Sequence, residues 1–238
     1  SGIFITPYIV AQRLDSSAAV LAAWMAGGAI ALAGAYSYAE LGALFPRAGG
    51  QYVYLRDAYH PLAGFLAGWA LLALIESGAI AAVAITFANY ALRLVGRPDV
   101  APVPLALSAI IVLSIINFLG VKPGSRVLNV FVVLKVAALA VLIGAGWLAP
   151  ASPGWWDAAR EPTTTTGGTA IAFGAALIPI LFSYGGWQNA NYVAEEIEDP
   201  RRNLPLSLMA GTITVVVIYA LVNAVYLRAL GLENLATT

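Results

Sequence analysis

The sequence predicts an all-α integral membrane protein, a bundle of about six to eight spanning helices. Three observations carry that expectation. Of 238 residues, 61% are hydrophobic and 10% are charged, against about 25% charged in an ordinary soluble domain. Apolar runs long enough to span a bilayer alternate with polar connectors. Two of the apolar runs are interrupted by glycine and proline in corresponding places. A soluble protein so apolar has too little polar surface to stay dispersed. Lys and Arg total 12 and Asp and Glu total 12, so the net charge is zero. These features exclude a soluble enzyme, a disordered tail and a basic nucleic-acid binder.

The elements follow in order. Residues 1–10 are apolar and too short to span, half a helix at most. Gln12, Arg13, Asp15 and Ser16 form a short polar loop. Residues 18–45 are the first full span, rich in Ala and Gly; small residues let helix backbones approach in lipid, so this helix is expected to be buried among others. Residues 46–60 are a polar connector rich in Gly and Tyr, with Tyr52, Tyr54 and Tyr59 suited to the membrane–water interface. Residues 62–94 are a long span, tilted or reaching beyond the bilayer. Residues 103–119 are a shorter span, and residues 127–147 another, interrupted only by Lys135. Residues 149–168 read as a solvated loop with a low-complexity Thr163–Thr166 run. Residues 170–193 are apolar but broken in the middle, and residues 204–230 are the last span. From Gly231 onward the sequence reads as a polar loop.

Cysteine is absent, so the chain has no disulfide framework, thiolate zinc site or cysteine nucleophile. The single His60 cannot build a histidine metal site alone, and no metal or cofactor is expected. The first residues lack a basic segment followed by an apolar core and do not begin with Met; the chain reads as a fragment or processed form, cut at both ends. Loop charges orient the bundle weakly. With residues 46–60 inside, Arg47, Arg56, Lys122, Arg126, Arg201 and Arg202 face six positive charges inward against five outward at Arg13, Arg93, Arg97, Arg160 and Arg228.

The sixth apolar run carries the strongest local signal, Ile178-Pro179-Ile180-Leu181-Phe182-Ser183-Tyr184-Gly185-Gly186-Trp187. Pro179 lacks an amide hydrogen, and Gly185 and Gly186 are poor helix formers. Together they predict unwinding near mid-span. Unwound backbone in hydrocarbon leaves unpaired polar groups unless protein, water or a ligand satisfies them. A proline kink without a ligand is the plainer reading. A second candidate break is Ser1-Gly2 heading Ile3-Phe4-Ile5-Thr6-Pro7. With four full spans between them, the first and sixth helices would run antiparallel, the pattern of an inverted-topology transporter repeat with its site between discontinuous helices. A half-helix start offers backbone N–H groups and a positive dipole end to a carboxylate. A half-helix end offers C=O groups to an ammonium. A site with both suits a zwitterion, a free amino acid.

Four stretches share their order and spacing with a known family: Ser1-Gly2-Ile3-Phe4; Tyr38-Ala39-Glu40-Leu41-Gly42 with Pro46-Arg47-Ala48-Gly49-Gly50-Gln51-Tyr52; Phe182-Ser183-Tyr184-Gly185-Gly186-Trp187; and Glu195-Glu196-Ile197-Glu198-Asp199-Pro200-Arg201-Arg202-Asn203-Leu204-Pro205. In these the chain resembles the amino acid–polyamine–organocation transporters, and most of all their L-type amino acid transporter group. The resemblance implies a five-plus-five inverted-repeat, leucine-transporter-type bundle with discontinuous helices 1 and 6. The whole chain, 1–238, would be one truncated transmembrane domain. Residues 1–147 would hold the first repeat from the second half of helix 1 to helix 5, and residues 169–238 the start of the second, helices 6 and 7. A cytoplasmic N-terminus and a multi-pass protein of the plasma (inner) membrane are implied as well. In the family, helix 1 holds the substrate carboxylate by backbone amides; the matching residues are Ser1, Gly2 and Ile3. The helix 6 break holds the amino group. Phe182 matches an aromatic gate, and Ser183, Tyr184 and Gly185 match the carbonyl-bearing turn. Of Gln188 and Asn189, Gln188 is assigned to the substrate path.

Two charged residues interrupt apolar runs. A lysine at a helix centre costs about 2.5–3.5 kcal/mol to insert, and intramembrane charges are functional hypotheses by default. The resemblance places Lys135 where sodium-coupled relatives bind a cation, which suggests a sodium-independent carrier. Lys135 would then link helix 5 to the helix 1 break and carry a coupling proton, or merely bond backbone carbonyls. Glu76, within residues 62–94, departs from the family pattern. It either meets a substrate amine or exchanges a proton, or is a protonated acid bonded to a nearby carbonyl. Glu40, Glu195 and Glu196 read as structural caps or ion-pair partners, worth about 0–1 kcal/mol each.

The expected function is secondary active transport of amino acids by alternating access, with neutral L-amino acids favoured and cationic amino acids or polyamines as the alternative. An intramembrane enzyme fits poorly: there is one histidine, and Asp15, Asp57, Asp99, Asp157 and Asp199 all fall in loops or at helix ends. A channel would not need paired helix breaks. The expected partners are the amino acid and the lipid bilayer, with no nucleic acid. Eukaryotic relatives often pair with a glycoprotein heavy chain through a disulfide, a link that this chain, without cysteine, cannot form.

Overall fold

The structure is a computed structural model that describes residues 2–118, 120–156 and 168–237. Ser1, Asp157, Arg160 and the Thr163–Thr166 run lie outside the described residues. The described elements are helical throughout. A 3-10 turn, Gly2–Phe4, leads into α1 (Thr6–Arg13), followed by α2 (Ser17–Leu44), α3 (Gln51–Ala58) and α4 (Pro61–Ala70). A π-helical turn at Leu71–Glu76 joins α4 to α5 (Ser77–Leu94). Then come α6 (Pro102–Phe118), α7 (Val121–Leu148), α8 (Gly168–Tyr184), a 3-10 segment at Trp187–Glu196 and α9 (Pro200–Leu235). Five helical stretches among the described residues are long and apolar enough to cross a membrane: Ser17–Leu44, Pro61–Leu94, Gly124–Leu148, Ala170–Glu196 and Pro200–Leu235. The protein is an integral, multi-pass membrane protein.

The chain divides into two compact units, one of residues 1–50 with 137–238 and one of residues 51–136. The first is built on α2. Ser16 caps it: its backbone is extended and its Oγ accepts the Ala19 amide at 3.1 Å, which satisfies one of the free N–H groups of the first turn. The buried residues of α2 recur every three or four positions, at Val20, Ala23, Trp24, Gly27, Gly28, Ala31, Ala35, Ala39 and Gly42. They are mostly small, as expected of a helix enclosed by others in lipid. A methyl group on Gly27 would stand 2.4 Å from Ile180 Cγ2 on α8. One on Gly28 would stand 2.8 Å from Val216 Cγ1 on α9, and one on Gly42 2.5 Å from Leu204 Cδ2. Advancing along α2 thus means retreating along α9, and the two helices are antiparallel.

The second unit folds α3 back on α4, and packs α5 against α6 through Ala84, Ala88 and Ala106. His60 caps α4, its Nδ1 accepting the Leu62 amide at 3.2 Å.

Several boundaries differ from the sequence expectation. Gln12 and Arg13 belong to α1 and not to a loop. Each finds a carbonyl outside its own helix, Gln12 Nε2 donating to Ala236 O at 2.9 Å and Arg13 donating to Ala175 O, which holds the extra turn. The connector 46–60 contains a helix, α3, because Val53 and Tyr54 bury one of its faces. Residues from Gly231 onward continue α9 to Leu235 past a kink at Gly231 (φ 76°, ψ 166°), since Leu232 and Leu235 are buried.

Candidate functional site

The 3-10 turn that precedes α1 and the C-terminal end of α8 meet in the first unit. At the first, Gly2–Phe4 make a single 3-10 turn closed by Ile5 N donating to Gly2 O at 2.9 Å. Pro7 lies in the first turn of α1, where a missing N–H costs nothing. At the second, α8 ends at Tyr184. Gly185 N donates back to Phe182 O at 3.3 Å, and Gly186 takes φ 110°, a backbone that side-chain-bearing residues avoid. Gln188 Oε1 accepts the Gly186 amide at 3.1 Å, and Asn189 N donates to Gly186 O at 3.1 Å, starting the 3-10 segment.

The contact between them is close. A Cβ on Gly2 would fall 2.1 Å from Ser183 Oγ and 2.9 Å from Ser183 Cβ. No residue but glycine fits there with Ser183 in place. Thr6 and Ser183 are both buried, and their hydroxyl oxygens are 2.7 Å apart. Ser183 Oγ also donates to the Pro179 carbonyl at 2.9 Å. A carbonyl only accepts, and a serine hydroxyl carries one proton, so Thr6 is the donor to Ser183. The chain Thr6 → Ser183 → Pro179 ties the first turn of α1 to the last turns of α8.

Behind this junction lies an aromatic cluster. Trp24, Tyr184 and Tyr219 are buried, with Trp24–Tyr184 and Trp24–Tyr219 ring centroids 5.7 and 5.8 Å apart, edge to face. The Tyr184 hydroxyl donates to Trp24 O at 3.2 Å. Farther along, Trp187 rests against Gly34 and Tyr38, and Asn191 is fully buried with its Nδ2 donating to Gln188 O at 3.3 Å.

Among the sequence-predicted residues, the structure brings together Gly2, Ser183 and the adjoining backbone of Ile3, Phe182, Tyr184 and Gly185. The side chains of Ile3 and Tyr184 point into the core and not into open space. Phe182 is 68% exposed. Gln188 is half-buried and bonds back onto its own turn. Lys135 is half-buried on α7 and Glu76 half-buried at the end of the π-helical turn. Both belong to the second unit. Beside Glu76, Ser77 Oγ donates its one proton to Ala73 O at 2.7 Å, with Leu72 O 3.2 Å from the same oxygen. Among the described residues, no group of three His, Asp or Glu side chains is placed to hold a metal ion. Sequence reasoning missed Thr6, Trp24, Asn191 and Tyr219. Only Thr6 carried a signal, a hydroxyl directly before the proline that opens α1.

Known proteins match this chain along its whole length. The amino acid permease family model matches residues 1–238. The chain is 34% identical over 244 residues to the human b(0,+)-type amino acid transporter 1, covering 99% of the chain and 49% of that protein. It is 34% identical over 249 residues to the rabbit large neutral amino acids transporter small subunit 2, covering 99% of the chain and 45% of the relative. The human Asc-type amino acid transporter 1 is 31% identical over 249 residues, covering 100% and 47%. The chain spans about half the length of these curated relatives. On the match along its whole length, the chain belongs to the amino acid permease family.

Proposed function

We propose that this chain supplies one substrate-holding half of a secondary carrier for free amino acids that works by alternating access. The observation that carries the reading is the seating of Gly2 against Ser183, which brings the turn before α1 to the end of α8. The amides of Gly2 and Ile3, with Ser1 before them, would take the carboxylate. The carbonyls at the end of α8, from Phe182 to Gly185, would take the ammonium. The exposed Phe182 ring would close over the bound molecule, with Gln188 bracing the turn. In this reading the halves 1–147 and 169–238 are the first repeat and the start of an inverted second repeat, with helices 1 and 6 discontinuous. Neutral L-amino acids are the proposed substrates; one relative carries "large neutral amino acids" in its name. Lys135 would stand in for a coupling cation and make transport independent of sodium, and the carrier would work in the plasma membrane without a disulfide-linked heavy chain.

A second reading, a carrier of cationic amino acids or polyamines, rests on Glu76, a half-buried carboxyl within the Pro61–Leu94 span. The test is uptake competition by twenty amino acids on the full-length protein in proteoliposomes, at two pH values and with or without sodium. Saturable uptake competed by neutral amino acids and indifferent to sodium supports the first reading. Competition by lysine, arginine or a polyamine alone favours the second, and unsaturable flux rejects both.

A further inference from the structure

Two fully buried polar atoms in the first unit have no hydrogen-bond partner among the described residues: Trp24 Nε1 on α2 and Asn223 Oδ1 on α9. An unpaired polar group in an apolar interior costs several kcal/mol in hydrocarbon, so two of them on facing helices call for an occupant. Their identities are fixed. An indole nitrogen is only a donor. The Asn223 amide is held by Nδ2 donating to Tyr219 O at 2.8 Å, which leaves Oδ1 as the unpaired acceptor.

The register of the helices brings the two atoms toward one place. Gly28 lies against Val216 and the Trp24 ring against Tyr219, on antiparallel helices. Asn223 is one turn beyond Tyr219. Helical side chains lean toward the N-terminus of their own helix. On antiparallel helices, Trp24 therefore leans toward the level of Asn223, while Asn223 leans back toward Tyr219 and the level of Trp24.

We infer that Trp24 Nε1 and Asn223 Oδ1 bind a single buried water between α2 and α9, behind the Tyr184 ring. The pair selects the ligand class. A cation would face the indole N–H, and an anion would face the amide oxygen. A water donates to the oxygen, accepts from the indole, and has the two polar partners that a buried water requires. This site is independent of the transport reading, since neither residue is assigned to substrate.

The test is a map of the full-length wild-type protein at a resolution that shows ordered water. The site predicts one peak within about 2.7–3.2 Å of both atoms. A dry contact, a direct bond between the two side chains, or a protein group filling the space overturns it. A second measurement needs no map: thermal unfolding of Trp24→Phe, Asn223→Leu and the double variant. A bridging water predicts that the double variant loses less melting temperature than the two single losses added together, because each single leaves the water and one protein atom half-satisfied. Strictly additive losses contradict it.

Discussion

The Thr6 hydroxyl donates to the Ser183 hydroxyl across 2.7 Å, and 177 residues of chain separate them. The bond is directional, because Ser183 gives its own proton to Pro179 O. Removing either side therefore has unequal effects. Thr6→Val deletes a donor and leaves Ser183 still bonded to Pro179, at a cost of about 1 kcal/mol. Ser183→Ala strands the Thr6 proton in a buried place and costs about 1–3 kcal/mol. Thermal unfolding of the two variants should rank Ser183→Ala below Thr6→Val, and equal losses would speak against the assigned direction.

Gly2 is the tightest point of the junction. Gly2→Ala sets a methyl group 2.1 Å from Ser183 Oγ, and overpacking of this kind costs about 1–3 kcal/mol. Uptake by Gly2→Ala should fall at least tenfold. Because the clash is with the Ser183 side chain, Gly2→Ala with Ser183→Gly should recover part of the loss, whereas Ser183→Gly alone should not improve on wild type.

Gly186 holds φ 110° with no heavy atom within 4 Å of a Cβ placed there. Space is available and only the backbone objects, so Gly186→Ala should destabilise by about 1–3 kcal/mol through strain alone. Gly78, also open but in ordinary helical backbone, is the control: Gly78→Ala should be neutral or slightly stabilising. Melting curves of the two variants check the contrast.

The roles proposed for Lys135 and Glu76 can be told apart. Lys135→Ala should reduce uptake and flatten its pH dependence, and Glu76→Gln should alter the ratio of cationic to neutral amino acid uptake. Proteoliposome uptake at two pH values measures both. Unchanged uptake and pH dependence in Lys135→Ala removes it from the coupling role.

Much of this was legible in the sequence because membrane folds obey few rules. The Ala and Gly content of residues 18–45 announced a helix enclosed by others, and α2 buries a stripe of those residues against α8 and α9. Gly185 and Gly186 are visible as poor helix formers, and α8 ends beside them. What escaped depends on partners far away in sequence. Arg13 looks like a loop residue until Ala175 O is found beside it. Trp24 and Tyr219 look like interface anchors, the common place for such rings, yet they meet edge to face in the core. Asn191 reads as one more polar residue after a break, and only packing under Gly42 and Leu204 buries it.

The central claim is that backbone amides at Gly2–Ile3 and carbonyls at the end of α8 together hold both charged ends of an amino acid. Equilibrium competition on the full-length protein tests it most directly, with a free amino acid compared against its methyl ester and its N-acetyl derivative. Loss of the carboxylate or of the ammonium should each abolish competition while the free amino acid binds saturably. If either derivative competes as well as the parent, the two-ended cradle is wrong.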